Sequence, residues 1–317
     1  MAVKKSSPKH PLISVVSPVY RAEAILDTFI ERVVVAVTKI TEDYEIVLVE
    51  DGGPDQSWKK IKTICQKNPK VKGIKLSRNF GQHNAIGACF EHSQGDYVVL
   101  MDCDLQDNPA YIPEMYKLFD GSIDYVLSRR QSKKQGFLRG LIGTSFYKIY
   151  NWLAGTNYDG NIGPLSMLSR KFIDAYLRFG AYQRIYFTTL HWVGFKGKVI
   201  DVETEERFSG SSSYNIPKLI RVAINMIVAN SDRLLNVSVV IGLVFMALSF
   251  LAAFSLFSSI VFFGAEYASG WPSVIVLILF CTGLILLSMG VTGLYIGKIF
   301  EQVKNLPRYI VEDTLNL

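Results

Sequence analysis

The sequence predicts an α/β fold built on a mainly parallel sheet, followed by an interfacial amphipathic helix and two transmembrane helices. Two observations carry this expectation. Short apolar runs alternate with helical stretches through the first part of the chain, the interval at which crossover helices join parallel strands. Further on, no charged residue occurs between Arg233 and Glu266 or between Glu266 and Lys298, and each gap of roughly 30 residues exceeds the ~20 that span a bilayer.

The strand-like runs are LISVVSP (12–18), YEIVLVED (44–51), VKGIKLS (71–77), DYVVLMD (96–102) and DYVLSR (124–129), with helices expected at 22–40, 55–67, 81–93 and 109–119. The run from Tyr97 to Met101 does not alternate apolar with polar, which marks a central strand covered on both faces. Open α/β sheets bind ligands at the carboxyl ends of their strands. Here those ends carry Tyr20, Asp51, Arg78, the pair Asp102 and Asp104, and Arg129.

The expected organisation is a cytoplasmic catalytic domain over 1–215, a juxtamembrane amphipathic helix over 216–235 and a membrane region over 236–317. That last region holds spans near 236–263 and 271–297 and a short cytoplasmic tail. Between 216 and 235, Ile216, Leu219, Ile220, Ala223, Ile227 and Leu234 recur at helical spacing, with Lys218, Arg221, Asn225 and Asp232 on the opposite face. Such a helix either lies in the headgroup plane or packs on its own domain. A second interfacial candidate is FLRGLIGTSFYKIYNWLAG (137–155). Arg233 precedes the first span, Lys298, Lys304 and Arg308 follow the second, and the linker lacks Lys and Arg, so both ends are expected in the cytoplasm. The N-terminus has only a short apolar run before a proline, unlike a signal peptide.

A net charge of +6 and a pI near 9.0 suit an anionic leaflet or nucleic acid equally, and the apolar segments favour the membrane over nucleic acid. Cys65, Cys89, Cys103 and Cys281 have neither metal-type spacing nor a pairing pattern, which favours reduced thiols.

The chemistry concentrates at the end of the fourth run. Asp102 and Asp104 direct two carboxylates the same way, and anions that close repel unless a cation lies between them. With Gln106 they offer hard oxygen ligands at alternate positions, the kind that Mg²⁺ or Mn²⁺ accepts while also binding substrate phosphates. Helix capping accounts for Asn108 before Pro109, and for Asp107 at most, but not for the two earlier acids. One strand earlier, Asp51 followed by two glycines is either a turn aspartate or an acceptor for the imide or amino edge of a base. Dinucleotide and P-loop fingerprints are absent.

Together, SPVY (17–20), EDGGPD (50–55), SRNFG (77–81) and DCDLQ (102–106) resemble the family 2 glycosyltransferases of the GT-A fold, in the branch that transfers sugar to polyprenyl phosphate. The likeness runs from about Ile13 to Tyr214, and the two spans make it most similar to bactoprenol glucosyltransferases and membrane-bound dolichol-phosphate mannose synthases. The resemblance implies that Pro18, Tyr20, Glu23 and Asp51 hold base and ribose, that Arg78 approaches the diphosphate, and that Asp102, Asp104 and Gln106 hold the metal, Asp104 counting among the catalytic residues. DGNIGPLSMLSRK (159–171) resembles the acceptor-half segment that supplies a base or orienting acid, which falls on Asp159. ERFSGSSSY (206–214) resembles the phosphate-binding R-x-x-G-x-S-K-Y, with Arg207 on the arginine and Ser213 where many members have lysine. Arg129 or Arg130 is then expected to compensate at the acceptor phosphate.

The implied activity is inverting transfer of a hexose, glucose from UDP-glucose first among donors, to undecaprenyl or a similar polyprenyl phosphate at the cytoplasmic face. GDP-mannose is the alternative donor, and likeness alone allows a homo-oligomer. A processive polysaccharide synthase is disfavoured because Q-x-x-R-W is missing; a sugar-lipid flippase or channel subunit is disfavoured because neither span carries a charge.

Overall fold

The computed structural model describes residues 10–131, 159–179, 186–203, 233–263, 270–304 and 306–317. The chain divides into two compact units, one comprising Met1–Gly136, Asp159–Ser212 and Asn305–Leu317, the other Phe137–Tyr158 and Ser213–Lys304.

The first unit is an eight-stranded sheet: β1 (Ile13–Val19), β2 (Tyr44–Glu50), β3 (Val71–Leu76), β4 (Tyr97–Leu100), β5 (Tyr125–Arg130), β6 (Ile162–Ser169), β7 (Gly197–Val202) and β8 (Val311–Leu315). The spatial order is β7-β5-β6-β4-β1-β2-β3-β8. Strands β1 to β4 run parallel, as their apolar character predicts, whereas β6 pairs antiparallel with both β4 and β5, and β8 pairs antiparallel with β3.

Side chains alternate across the strands, so each face packs its own helical layer. Val15, Ile46, Leu48 and Val99 meet α1 (Leu26–Val37), α2 (Ser57–Lys67) and α4 (Ile112–Lys117). Val16, Val47, Val49 and Leu100 meet α3 (Gln82–Glu91), α5 (Arg170–Arg178) and α6 (Tyr186–Val193). Truncation of a filler such as Phe29 or Phe90, both fully buried, would cost about 3–5 kcal/mol.

The chain builds β1, β2 and β3 in one direction and then places β4 on the other flank of β1. The reversal makes a crevice between the carboxyl ends of β1 and β4, the position at which doubly wound sheets bind ligands.

Near the C-terminus, residues expected as a short tail instead form the edge strand β8. Its carboxylates meet lysines of unit one, Glu312 with Lys75 at 2.8 Å and Asp313 with Lys62 at 3.0 Å. The Asn316 amide donates to the carbonyls of Cys65 and Val71. Charged residues on an edge strand discourage further pairing, which is why this strand does not look apolar in sequence.

The second unit contains α7 (Arg233–Phe263, 31 residues) and α8 (Trp271–Val303, 33 residues). Pro272 sits in the first turn of α8, where its missing N–H costs nothing. Among the described residues one stretch, Phe280–Val303, is long and apolar enough to cross a membrane. Large apolar side chains on both helices, such as Phe250, Phe262 and Leu286, are exposed. Most of the expected juxtamembrane helix (216–232) and the whole of 137–155 lie outside the described residues.

Candidate active site

The ladder between β1 and β4 stops at Val16 and Leu100, while β1 stays paired with β2 as far as Val19 and Glu50. Pro18, which has no N–H to donate, sits just past the end of the β4 ladder. Beyond it, Tyr20 stands 46% exposed with the Arg21 guanidinium 5.4 Å from its ring centroid.

On the opposite wall, residues 101 to 109 alternate strictly. Met101, Cys103, Leu105, Asp107 and Pro109 are buried; Asp102, Asp104, Gln106 and Asn108 are half-exposed. Leu105 adopts φ +56° and Arg21 φ +53°, so both walls contain a non-glycine residue in the left-handed region, where backbone strain is a mark of functional sites. Asn108 caps the following turn by accepting from the Ala110 N–H at 2.9 Å, as the Asn-Pro signal predicts.

Burial first, then the charges of Asp104 and Asp107, push the Asp102 carboxyl up to about 6, against the opposing effects of Arg130 and of a hydrogen bond from Gln82. The Gln82 amide donates to Asp102 Oδ1 at 2.9 Å. Cys103 is buried beside the pair, and its thiol is pushed up to about 12, chiefly by burial and then by the charges of Asp102 and Asp104.

Asp107 is not a cap. It is buried, and its two oxygens accept from Arg130 Nε and Nη2, both at 2.9 Å. Arg130 thus ties β5 to the acidic turn. Arg129, expected at the acceptor phosphate, binds the Asp201 carboxylate through Nε at 2.6 Å and Nη2 at 3.2 Å in an exposed pair.

Asp51 also differs from the simplest expectation. Its oxygens accept from the Phe80 N–H at 2.7 Å and the Gly81 N–H at 2.9 Å, pinning the turn after β3 that carries Arg78. Burial raises its pKa, while those two N–H groups and Arg78 oppose the rise. Gly52 follows at φ +60°, and a Cβ there would lie 2.4 Å from the Arg78 carbonyl carbon and the Asn79 nitrogen, so only glycine fits. The Arg78 guanidinium stacks 4.3 Å from the Phe80 ring centroid.

Glu23 joins the same rim from the other side. Its carboxylate accepts from the Gln56 N–H at 3.2 Å, and Asp55 accepts from the Glu23 N–H at 3.2 Å and the Ser57 hydroxyl at 2.7 Å.

Asp159 lies in the turn three residues ahead of β6, whose antiparallel course brings its start to this same sheet edge. Its Oδ1 accepts from the Asn161 N–H at 2.9 Å and the Asn161 amide at 3.0 Å, and its charge acts on Arg129. Arg207 and Ser213 lie outside the described residues. Sequence reasoning missed Gln82 and the Asp107–Arg130 pair; only the density of acids around Asp102 hinted that a local cation was needed.

Among the described residues no group of three or more His, Cys, Asp or Glu side chains converges as a metal cage. Two carboxylates and an amide oxygen at alternate positions fit a hard divalent cation that completes its shell with water and substrate oxygens. The raised pKa of Asp102 is what a partly buried carboxylate crowded by other carboxylates produces.

The glycosyl transferase family 2 model matches residues 14–177. A prophage-derived bactoprenol glucosyl transferase of Shigella flexneri is 32% identical over 302 residues, covering 95% of this chain and 97% of that one. A prophage bactoprenol glucosyl transferase homolog of Escherichia coli K12 is 30% identical over 302 residues, covering 95% and 98%. Among solved structures, glucosyl-3-phosphoglycerate synthase of Mycobacterium tuberculosis, in complex with Mn²⁺ and UDP-glucose, superimposes with a TM-score of 0.50 at 17% identity over 69% of this chain and 77% of that one, a likeness of fold. With its switch-point crevice, its D-x-D-x-Q wall and this match over half its length, the chain belongs to glycosyl transferase family 2 and is a glycosyltransferase of GT-A-like α/β fold.

Proposed function

We propose that the enzyme transfers a hexose, glucose from UDP-glucose first among donors, to a polyprenyl phosphate at the cytoplasmic membrane face, with inversion at the anomeric carbon. The relatives named for bactoprenol glucosyl transfer match end to end. The observation in the molecule that carries the proposal is the crevice between β1 and β4 with Asp102, Asp104 and Gln106 along one wall.

Pro18, Tyr20, Glu23 and the rim held by Asp51 receive base and ribose. Asp51 contributes there by fixing the Phe80–Gly81 turn and through whatever acceptor capacity its oxygens retain. Arg78 faces the diphosphate. Asp102, Asp104 and Gln106 would hold Mg²⁺ or Mn²⁺, which when bound supplies positive charge against the departing diphosphate. Asp159 orients the acceptor, and Arg207 and Ser213 bind its phosphate.

The edge strand bears on topology. Because β8 lies in the same sheet as β1, the chain between them crosses any bilayer an even number of times. If α8 spans, a second segment spans as well, and α7 is the long apolar helix beside it in sequence, which supports a two-span arrangement with both ends on one face.

Turnover of labelled nucleotide sugars with polyprenyl phosphate tests the proposal. UDP-glucose is expected to give a lipid-linked sugar that disappears in EDTA; a panel including GDP-mannose identifies the donor. Free sugar as the only product would overturn the acceptor, and equal turnover in EDTA would overturn the metal.

A further inference from the structure

Outside the crevice, one aromatic surface of the first unit is not used by the reaction. Trp192, near the end of α6, is 72% exposed, and its ring lies 4.7 Å from that of Phe179, the residue that ends α5. The two rings together present an apolar face to solvent, larger than a singly exposed side chain would.

Two arginines frame the pair. Arg178 is exposed in the last turn of α5, and Arg308 donates to the Phe179 carbonyl at 3.4 Å. Among the described residues neither forms an ion pair. Arg308 follows Val303, the last residue of the apolar helix α8, by only five residues, a reach of at most about 18 Å. That short stretch of chain tethers Arg308 covalently to a helix suited to hydrocarbon. Aromatic rings with an apolar body and a polar edge, flanked by arginines, are the composition of the headgroup layer.

The geometry points to the Phe179–Trp192 pair, with Arg178 and Arg308, as a surface that docks the catalytic unit on anionic lipid headgroups. It rests on the membrane assignment of α8 proposed above. Docking here adds a contact on the catalytic unit to the covalent tether and limits how far that unit swings from the bilayer carrying its acceptor.

The chain has four tryptophans, so two single-tryptophan forms test the surface: one keeping Trp192, one keeping Trp271 at the start of α8, the others replaced by Phe. Each full-length form is placed in nanodiscs of phosphatidylcholine and phosphatidylglycerol containing a nitroxide lipid labelled either near the headgroup or deep in the acyl chain. The Trp192 emission is expected to be quenched by the shallow label more than the deep one, to be shielded from aqueous iodide, and to lose that quenching in Arg178→Glu. Quenching by iodide and not by lipid would overturn the surface. Shielding from both would also overturn it, because another part of the chain or a second copy would then cover the patch. Quenching of Trp271 by lipid keeps a failure at Trp192 separate from a failure of the membrane assignment.

Discussion

The two ends of the sheet treat buried charge in opposite ways. At the amino edge, Glu45, the second residue of β2, is almost fully buried, yet every demand it makes is met. Ser14 Oγ donates at 2.5 Å, the Gln94 N–H at 2.6 Å, and Lys72 Nζ lies 2.6 Å from its other oxygen. Burial raises its pKa, but these partners outweigh burial and hold it below the ordinary value. At the carboxyl edge, Asp102 meets two more acids and only one arginine, itself committed to Asp107, and its pKa is raised. The same chemical group is a structural fastening where its partners are built in. Where no partner is built in, it is the candidate binding site.

The comparison breaks most readily at Asp104. Asp104→Asn keeps the shape of the turn and removes one charge, and transfer is expected to fall roughly 10²–10³-fold, the scale of losing one group that stabilises transition-state charge. Labelled-sugar transfer with an unchanged circular dichroism spectrum measures this; wild-type turnover would show that the acids are not the functional end of the sheet. Glu45→Ala should do the reverse. It strands Lys72 in a mostly buried position at a cost of about 3 kcal/mol, with activity per folded molecule retained. Because the folded pKa of Glu45 is lowered, its contribution is full at neutral pH and fades as pH falls through the folded value, so wild type and variant should converge in acid.

The same contrast explains what could be read from the sequence. Strands β1 to β5 announce themselves as apolar runs, and the parallel rule then sends Tyr20, Asp51, Arg78 and Asp102 to one edge before any coordinate is known. Strand β6 hides because Gly163, Pro164 and two serines interrupt its apolar pattern, and β8 because Glu312 and Asp313 make it look like a tail. What local sequence could not give is which charges are spent. The partners of Asp51 lie 29 and 30 residues away and that of Arg129 lies 72 away. Each pairing depends on how crossovers return, which no window of neighbouring residues contains.

A smaller effect sharpens the comparison in stability rather than rate. The folded pKa of Asp102 is raised to about 6, so in the absence of metal its ionisation removes stability as pH climbs from the ordinary carboxylate range through that value. In EDTA, Asp102→Asn should unfold later than wild type at pH 7, by about 1–3 kcal/mol, and no later at pH 4, where both side chains are neutral. Thermal unfolding at the two pH values measures it. A variant less stable than wild type at pH 7 would mean that Asp102 is compensated like Glu45.

The smallest expected effect is an unchanged pH profile at Asp159. This acid sits at the active edge, but its Oδ1 is held by Asn161, and the amide oxygen of an asparagine in its place could accept the same two hydrogen bonds. A phosphate monoester loses its second proton near pH 6, so a lipid phosphate is already largely dianionic at neutral pH, unlike a sugar hydroxyl that needs a base. The proposed role of Asp159 is to orient that nucleophile, and Asp159→Asn should lose roughly tenfold to a hundredfold through misplacement alone. Its residual rate should then keep the wild-type pH dependence between about pH 6 and 8, the range that phosphate ionisation sets. A residual rate that climbs steeply above pH 8 while wild type stays flat would show that Asp159 removes a proton. The active edge would then hold a base as well as the proposed metal wall.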